Sequence, residues 1–240
     1  MTDLSSFPDG FRALVIGASG GIGAALVTAL DANPGCAAVH GLSRRAGDGH
    51  GFIDLDDEDS IAAAAQALTP LGPFHLIINA TGQLHGDEVT PEKTWRHLEA
   101  DRLLAYYRAN CVGPALVAKH FLPLLAKPEK AVFAALSARV GSIADNHVGG
   151  WHGYRAAKAA LNMMIRNFAI ELKLKTPTAI VIGLHPGTVE TALSAPFRGM
   201  VKHEVFTPET AAGHLLSVIN RAGAEDSGHQ LAWDGQVIAG

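Results

Sequence analysis

The 240-residue chain has little cysteine, few aromatics, little charge and no long hydrophobic run. Each shortage excludes something. Its two cysteines, Cys36 and Cys111, cannot build a disulfide framework and lack metal-ligand spacing. A reducing cytoplasm is therefore the expected compartment. No uninterrupted apolar stretch reaches the roughly 18 residues of a membrane span, so no membrane partner is expected. Residues Met1 to Ser6 carry neither a basic nor an apolar signal region, and no signal peptide is expected. The formal net charge is −4 with no long basic run, which argues against nucleic acid as a partner. The 12 histidines are scattered without H-E-x-x-H spacing, so they read as titrating surface residues and no metal is expected. Apolar residues make up 48% and charged residues 18%, which argues for a sizeable core and against disorder.

What is present is an alternation. Strand candidates are Ala13–Ile16, Ala37–Gly41, Gly51–Ile53, Phe74–Asn79, Lys130–Leu136, Thr178–Leu184 and Gln230–Trp233. Helical patterns lie between them, at Ile22–Leu30, Ile61–Leu68, Leu103–Leu125, Tyr154–Leu174 and Pro208–Ala222. Strand–helix alternation predicts a mostly parallel, seven-stranded sheet with helices on both faces. Ligands of such sheets sit beyond the C-terminal strand ends. Gly17, Asn79, Ser137 and His185 all fall at or just past such ends.

Two motifs carry chemistry. The first is a glycine cluster, Gly17-Ala18-Ser19-Gly20-Gly21-Ile22-Gly23, between an apolar run and an Ala/Leu-rich helix. Glycines let a backbone approach a ligand closely, and the amides of the following helix N-terminus favour a phosphate. The second is Tyr154-Arg155-Ala156-Ala157-Lys158. Positions i and i+4 share a helix face, which brings a phenol and an ammonium together. A nearby positive charge favours the phenolate and is expected to lower the tyrosine pKa from about 10.

The glycine spacing, G-x-x-x-G-x-G, together with Tyr154-x-x-x-Lys158, resembles the short-chain dehydrogenase/reductase family. Other segments resemble it in the right order. They are Asp54-Leu55, Asn79-Ala80-Thr81-Gly82 (an N-A-G with Thr81 inserted), Asn110-Cys111-Val112-Gly113 and Pro186-Gly187-Thr188-Val189-Glu190-Thr191. Leu136 to Ile143, with Asp145-Asn146 and Gly149-Gly150-Trp151, resemble the carbonyl-reductase-like branch that includes bacterial C-factor proteins.

The resemblance implies one doubly wound Rossmann domain over residues 1–240, with a substrate lid at about 190–206. It implies hydride transfer between a nicotinamide and a carbonyl carbon. Tyr154 would exchange the proton and Lys158 would hold the nicotinamide ribose. Asn110 would position a water, and Ser137 or Ser142 would hydrogen-bond the substrate oxygen. Gly17, Ser19, Gly20, Gly21, Ile22 and Gly23 would cradle the cofactor phosphates. Asp54 and Leu55 would meet the adenine. Asn79, Ala80, Thr81 and Gly82 would line the cofactor, as would Pro186, Gly187, Thr188, Val189 and Thr191. The two longest helical segments would pair with copies in a homodimer or homotetramer, or simply be buried against the sheet.

The serine departs from the family's pattern. The usual serine pair reads Ser137-Ala138, and the missing hydroxyl is the one the family uses. Ser137, Ser142 or neither serves the carbonyl. Cofactor choice has a physical handle: an acid about 20 residues beyond the glycine turn binds a ribose 2′-hydroxyl, and an arginine there accommodates a 2′-phosphate. That place holds Ser43-Arg44-Arg45, and Asp48 and Asp54 lie too far along. NADP(H) is thus expected over NAD(H). Leu193, Pro196, Phe197, Met200, Val201 and Phe206 make the lid apolar, with Trp151 and His152 as the facing wall, which suits a small apolar ketone, aldehyde or secondary alcohol. A cofactor-bound sensor with little turnover is the alternative, and an epimerase or dehydratase a third reading, because fold does not fix function.

Overall fold

Alternation along the central strands decides the layering. In β1 (Phe11–Ile16), Ala13 and Val15 point to one side of the sheet, and Leu14 and Ile16 to the other. β4 (Leu76–Asn79) and β5 (Ala131–Leu136) repeat this, with Ile78 and Val132 on the first side and Ile77 and Phe133 on the second. Both faces are apolar and both need cover. Helices α1 (Gly21–Asp31) and α6 (Pro208–Arg221) cover the first through Leu26, Leu30, Leu215 and Ile219. Helices α2 (Glu58–Leu68), α4 (Gly113–Phe121) and α5 (His152–Lys175) cover the second through Ile61, Val117, Phe121, Leu161 and Ile165. The computed structural model describes residues 2–45, 49–86, 89–200 and 204–240, with the backbone alone at 198–200.

The remaining strands are β2 (Cys36–Ser43), β3 (Gly51–Phe52), β6 (Ala179–His185), β9 (Gln230–Ala232) and β10 (Val237–Ile238). The sheet order is β10-β9-β6-β5-β4-β1-β2-β3. All pairings are parallel except β9 with β10. The chain winds outward from β1 in one direction and from β4 in the other, so the switch point lies between their C-terminal ends. The described residues thus form an eight-stranded sheet, one strand more than expected. The extra strand is β10, two residues long and too short to show a period.

The helix expected over Leu103–Leu125 is interrupted. α3 (Ala100–Tyr107) passes into a π turn at Arg108–Val112 before α4 begins. The cause is Pro114, at the start of α4. It has no N–H to donate back to Asn110, and its ring crowds that carbonyl. Gly113 N–H reaches instead to the carbonyl of Arg108, five residues back. Such single-turn bulges gather at functional positions.

α5 begins two residues before the expected Tyr154. Trp151 caps it in the left-handed conformation, φ 51°, following Gly149 and Gly150 at 71° and 68°. A short parallel ribbon, β7 (Thr188–Val189) with β8 (Val205–Phe206), stands outside the main sheet.

Candidate active site

The four adjacent strands β6, β5, β4 and β1 end at His185, Leu136, Asn79 and Ile16. Two cavities open over these ends, of about 420 Å³ and about 260 Å³. They share Gly20, Ala80, Thr81 and Gly82 and so form one continuous cleft.

The cleft fits a dinucleotide at its glycine turn. Gly17 sits at φ +88°, and a Cβ there would meet the Ala80 carbonyl carbon at 3.1 Å. A Cβ on Gly23 would lie 2.1 Å from the Gly17 carbonyl oxygen. Side chains at these two places would fill or break the turn. The first turn of α1 has no side-chain cap and no acidic residue, so its leading amides face the cleft uncompensated. Ser19 lines the larger cavity, and Gly21, Ile22 and Gly23 line the smaller. Asn79 holds the inserted Thr81 through its Oδ1, which accepts from Thr81 N–H at 3.2 Å and Thr81 Oγ1–H at 2.7 Å. The buried Asn79 Nδ2 has no partner among the described residues.

The larger cavity ends at Ser43, Arg44, Arg45, Asp54, Leu55 and Asp56. Ser43 is buried, and its hydroxyl donates to the Arg45 carbonyl at 2.8 Å. That proton is committed within the loop. The Arg44 guanidinium faces the Asp56 carboxylate at 3.6 Å, with both side chains more than half exposed. Any anion bound by Arg44 competes with Asp56, a residue that reading the chain alone did not single out. Asp48 lies outside the described residues.

Tyr154, Lys158, Leu136 and Ser137 line the smaller cavity. Lys158 Nζ donates to the Leu136 carbonyl at 2.9 Å and stands 5.8 Å from the centre of the Tyr154 ring. The pair expected from i, i+4 spacing is therefore formed. Its electrostatics differ from expectation. Burial pushes the Tyr154 phenol well up from its ordinary value, and the ammonium beside the ring does not reverse this. Burial also brings Lys158 down to about 8, against a smaller upward pull from Cys111. At neutral pH the phenol keeps its proton and the lysine is mostly charged.

Asn110 lies in the π turn, fully buried. Its Nδ2 donates to the carbonyls of Gln83 at 2.8 Å and Tyr106 at 3.2 Å, and its Oδ1 accepts from Gln83 N–H at 3.0 Å. It thus pins the loop after β4 beside Lys158: a Cβ on Gly82 would touch Asn110 Oδ1 at 3.2 Å and Lys158 Nζ at 3.4 Å.

The two candidate serines are separated. Ser137 lines the cavity and donates to Asn162 Oδ1 at 2.7 Å. Ser142 is not among the lining residues, and its Oγ accepts from Asp145 N–H at 2.9 Å, closing the turn after Arg139–Gly141. Ala138 packs beside Tyr154 without a hydroxyl to offer.

Pro186, Thr191, Ala192 and Leu193 form the far wall. Val189 turns away into a cluster with Phe206 and Ala211, Thr188 pairs with Val205, and Gly187, at φ +77°, packs against Phe206. Phe206, expected in the lid, is instead buried edge-on against His214 and Trp233. Phe197 packs on Trp151 at 5.0 Å, which in turn lies 6.4 Å from Tyr154. His85 joins Phe197 at 5.8 Å and contacts the Ala192 carbonyl at 3.0 Å. Val201 and the side chain of Met200 lie outside the described residues.

Comparison with known proteins places the chain in a family. Residues 12–202 match the family model for short chain dehydrogenases. The chain is 33% identical over 187 residues to a 1-hydroxy-2-glutathionyl-2-methyl-3-butene dehydrogenase of Rhodococcus sp. (strain AD45), covering 78% of this chain and 77% of that one. It is 32% identical over 132 residues to the C-signal of Myxococcus xanthus, covering 55% of this chain and 75% of that one. Among solved structures it superposes on the NADPH-bound carbonyl reductase from chicken fatty liver with a TM-score of 0.83 and 26% identity, over 100% of this chain and 96% of that one. With its glycine turn, its Tyr154–Lys158 pair and a family match over most of its length, this chain belongs to the short-chain dehydrogenase/reductase family of oxidoreductases.

Proposed function

We propose that the protein is an NADP(H)-dependent carbonyl reductase acting on small apolar ketones or aldehydes, and on the corresponding alcohols in reverse. The observation that carries this reading is the buried, proton-bearing Tyr154 beside Lys158, at one end of a cleft whose other end holds Arg44 and Arg45. The NADPH-bound chicken reductase supports the cofactor class.

The glycine turn and α1 would hold the cofactor phosphates, Asp54 and Leu55 the adenine side, and Lys158 with Asn79 to Gly82 the nicotinamide end. When bound, the nicotinamide supplies or accepts the hydride; orientation and proton handling fall to the protein. Tyr154 is a general acid toward the carbonyl oxygen. At neutral pH the phenol carries the proton that reduction consumes. Lys158, charged and 5.8 Å from the ring, stabilises the phenolate left behind until a proton from solvent restores the phenol. Ser137 polarises the same oxygen. Trp151, Phe197 and Leu193 keep water from the reacting carbonyl, and the segment at about 190–200 acts as the lid. The exposed apolar side chains Leu104, Val112, Met163, Ile170 and Leu174 are the surface on which two copies would pair.

The first test follows nicotinamide absorbance while benzaldehyde, cyclohexanone and longer aliphatic aldehydes and ketones are offered with NADPH. Saturable consumption with at least one of them is expected. Tight NADPH binding without consumption of any carbonyl would favour the alternative, a cofactor-bound signalling protein, which the likeness to the C-signal supports.

Cofactor preference gives a second prediction. A charge-assisted hydrogen bond contributes roughly 1.5–3 kcal/mol, and about 1.4 kcal/mol is tenfold in affinity. Arg44 is exposed and shared with Asp56, so the low end applies: NADPH is expected to bind about tenfold more tightly than NADH. Asp56→Asn frees Arg44 and should widen the gap. Ser43→Asp with Arg44→Ala should reverse it. Calorimetric titration of both cofactors at one ionic strength decides; tighter NADH binding by the parent would overturn the assignment.

A further inference from the structure

Ser137 does not act alone. Its hydroxyl meets Asn162 at 2.7 Å, and Asn162 Nδ2 meets Gln230 Oε1 at 2.9 Å. Asn162 is on α5, one turn past Lys158, and Gln230 opens β9. Three side chains, from just past β5, from α5 and from β9, thus form a chain that starts in the cavity. Ser137 and Gln230 are buried. At its far end, Gln230 Nε2, a buried donor, has no hydrogen-bond partner among the described residues.

Polarity is what matters here. An amide offers an oxygen that accepts and a nitrogen that donates, at the two ends of one flat group. A half-turn exchanges them without moving the rest of the side chain. In the orientation described, Ser137 gives its only proton to Asn162 Oδ1. A hydroxyl so engaged can accept from a substrate but cannot donate to a carbonyl oxygen. Turn both amides, and the chain reverses. Gln230 Nε2–H then donates to Asn162 Oδ1, Asn162 Nδ2–H donates to Ser137 Oγ, and the Ser137 proton points into the cavity. The buried donor is satisfied at the same stroke. The atom left unpaired becomes Gln230 Oε1, and buried acceptors are left under-satisfied more often than buried donors.

We propose that Asn162 and Gln230 are positioning residues that fix the direction of the Ser137 hydroxyl, with the inward-donating orientation as the working state. This rests on the carbonyl-reductase reading above, in which Ser137 serves the substrate oxygen. It also accounts for how a chain with alanine at the family's usual serine position recruits the neighbouring serine: the hydroxyl is aimed by a relay rather than by its place on the strand.

Neutron diffraction of the deuterated protein, with and without NADPH, separates amide nitrogen from oxygen directly and requires no substrate. The expected result is Asn162 nitrogen toward Ser137 and Gln230 nitrogen toward Asn162 in the NADPH-bound protein. Asn162 oxygen facing Ser137 in both states overturns the proposal, whatever the activity. A kinetic arm uses Gln230→Glu, which removes the donor at the far end, turns Asn162 Nδ2 toward the new carboxylate, and reverses the relay without touching the cavity. With benzaldehyde or cyclohexanone as probe, whichever is consumed, kcat should fall tenfold or more while the NADPH Kd stays within twofold. Gln230→Met, with neither donor nor strong acceptor, should fall less. Ser137→Ala alone should lose about 10²-fold, the usual cost of one oxyanion donor, and Ser137→Ala with Gln230→Glu should lose no more than that. Should Gln230→Glu not fold, Asn162→Asp makes the same reversal one link nearer.

The failures are distinguishable. A severe Ser137→Ala with a Gln230→Glu within twofold of the parent overturns the relay and leaves the reductase reading intact. Multiplicative losses in the double variant overturn the relay likewise. A mild Ser137→Ala removes Ser137 from the reaction, and the relay with it. Absence of turnover with any carbonyl overturns the reductase reading, and the neutron result still decides the orientation.

Discussion

A Tyr154→Phe protein is expected to bind NADPH as tightly as the parent and to reduce carbonyls about 10²–10⁴-fold more slowly. The range is that of one general acid–base step. Tyr154 is buried on α5 with Tyr106 and Trp151 edge-on at 6.2 Å and 6.4 Å. Phenylalanine keeps those ring contacts and removes only the hydroxyl, so the fold should survive. The loss should fall on kcat more than on KM, because the proton moves in the transition state. Turnover within twofold of the parent, measured by stopped-flow mixing with NADPH, would rule out Tyr154 as the acid.

Lys158→Met is expected to abolish activity and yet to raise stability. Burial has brought the lysine from 10.5 down to about 8. A group whose folded pKa is lowered costs stability below that value, and the cost fades as pH climbs toward the unfolded pKa. One pKa unit is 1.36 kcal/mol, so the buried ammonium costs on the order of 3 kcal/mol at neutral pH. Methionine escapes that cost but leaves the Leu136 carbonyl without its donor, which returns about 1–2 kcal/mol. The net gain of roughly 1–2 kcal/mol corresponds to a Tm higher by about 2–8 °C for a chain this long. The sign with pH is specific: the variant's advantage should be full below about pH 8 and shrink between there and 10.5. Chemical denaturation of the cofactor-free proteins across that window is the measurement. An advantage that does not change with pH would mean the lysine is not buried as a cation. Turnover should meanwhile be lost by at least the factor seen for Tyr154→Phe, with weaker NADPH binding.

Much of this was legible in the chain. Strand ends at Ile16, Asn79, Leu136 and His185 follow from apolar runs that stop at glycine, asparagine, serine and proline. The Tyr154–Lys158 pair follows from helical spacing. The same spacing reaches Asn162, four residues beyond Lys158, so that link of the relay was within reach. Gln230 was not, because nothing local joins it to residues 68 positions away. The break in the helix over Leu103–Leu125 was obscured because Pro114 is tolerated inside a continuous-looking apolar pattern. The tyrosine's pKa came out opposite to the expected direction because spacing reports a neighbour's charge and says nothing about how much water surrounds the pair. Phe206 read as lid because it is apolar and near the site in sequence, whereas a pocket of His214 and Trp233 accounts for it.

The sheet's two ends have a consequence for how the molecule keeps company. Its outermost strands, β3 and β10, are two residues each. An outer strand with free amides and carbonyls is a template on which another chain can add, the usual start of strand-swapped dimers and fibrils. At the β10 rim such a template spans only two residues, and β1, β4, β5 and β6 are paired on both sides; at the other rim β3 covers only Leu42 and Ser43, so Cys36 to Gly41 of β2 have no strand beyond them among the described residues. Association through backbone hydrogen bonding is thereby disfavoured at the β10 rim. On that account, truncating the chain before Val237 would uncover Leu231 and the paired edge of β9. The shortened protein should show more aggregation on dilution from urea than the full chain, by light scattering.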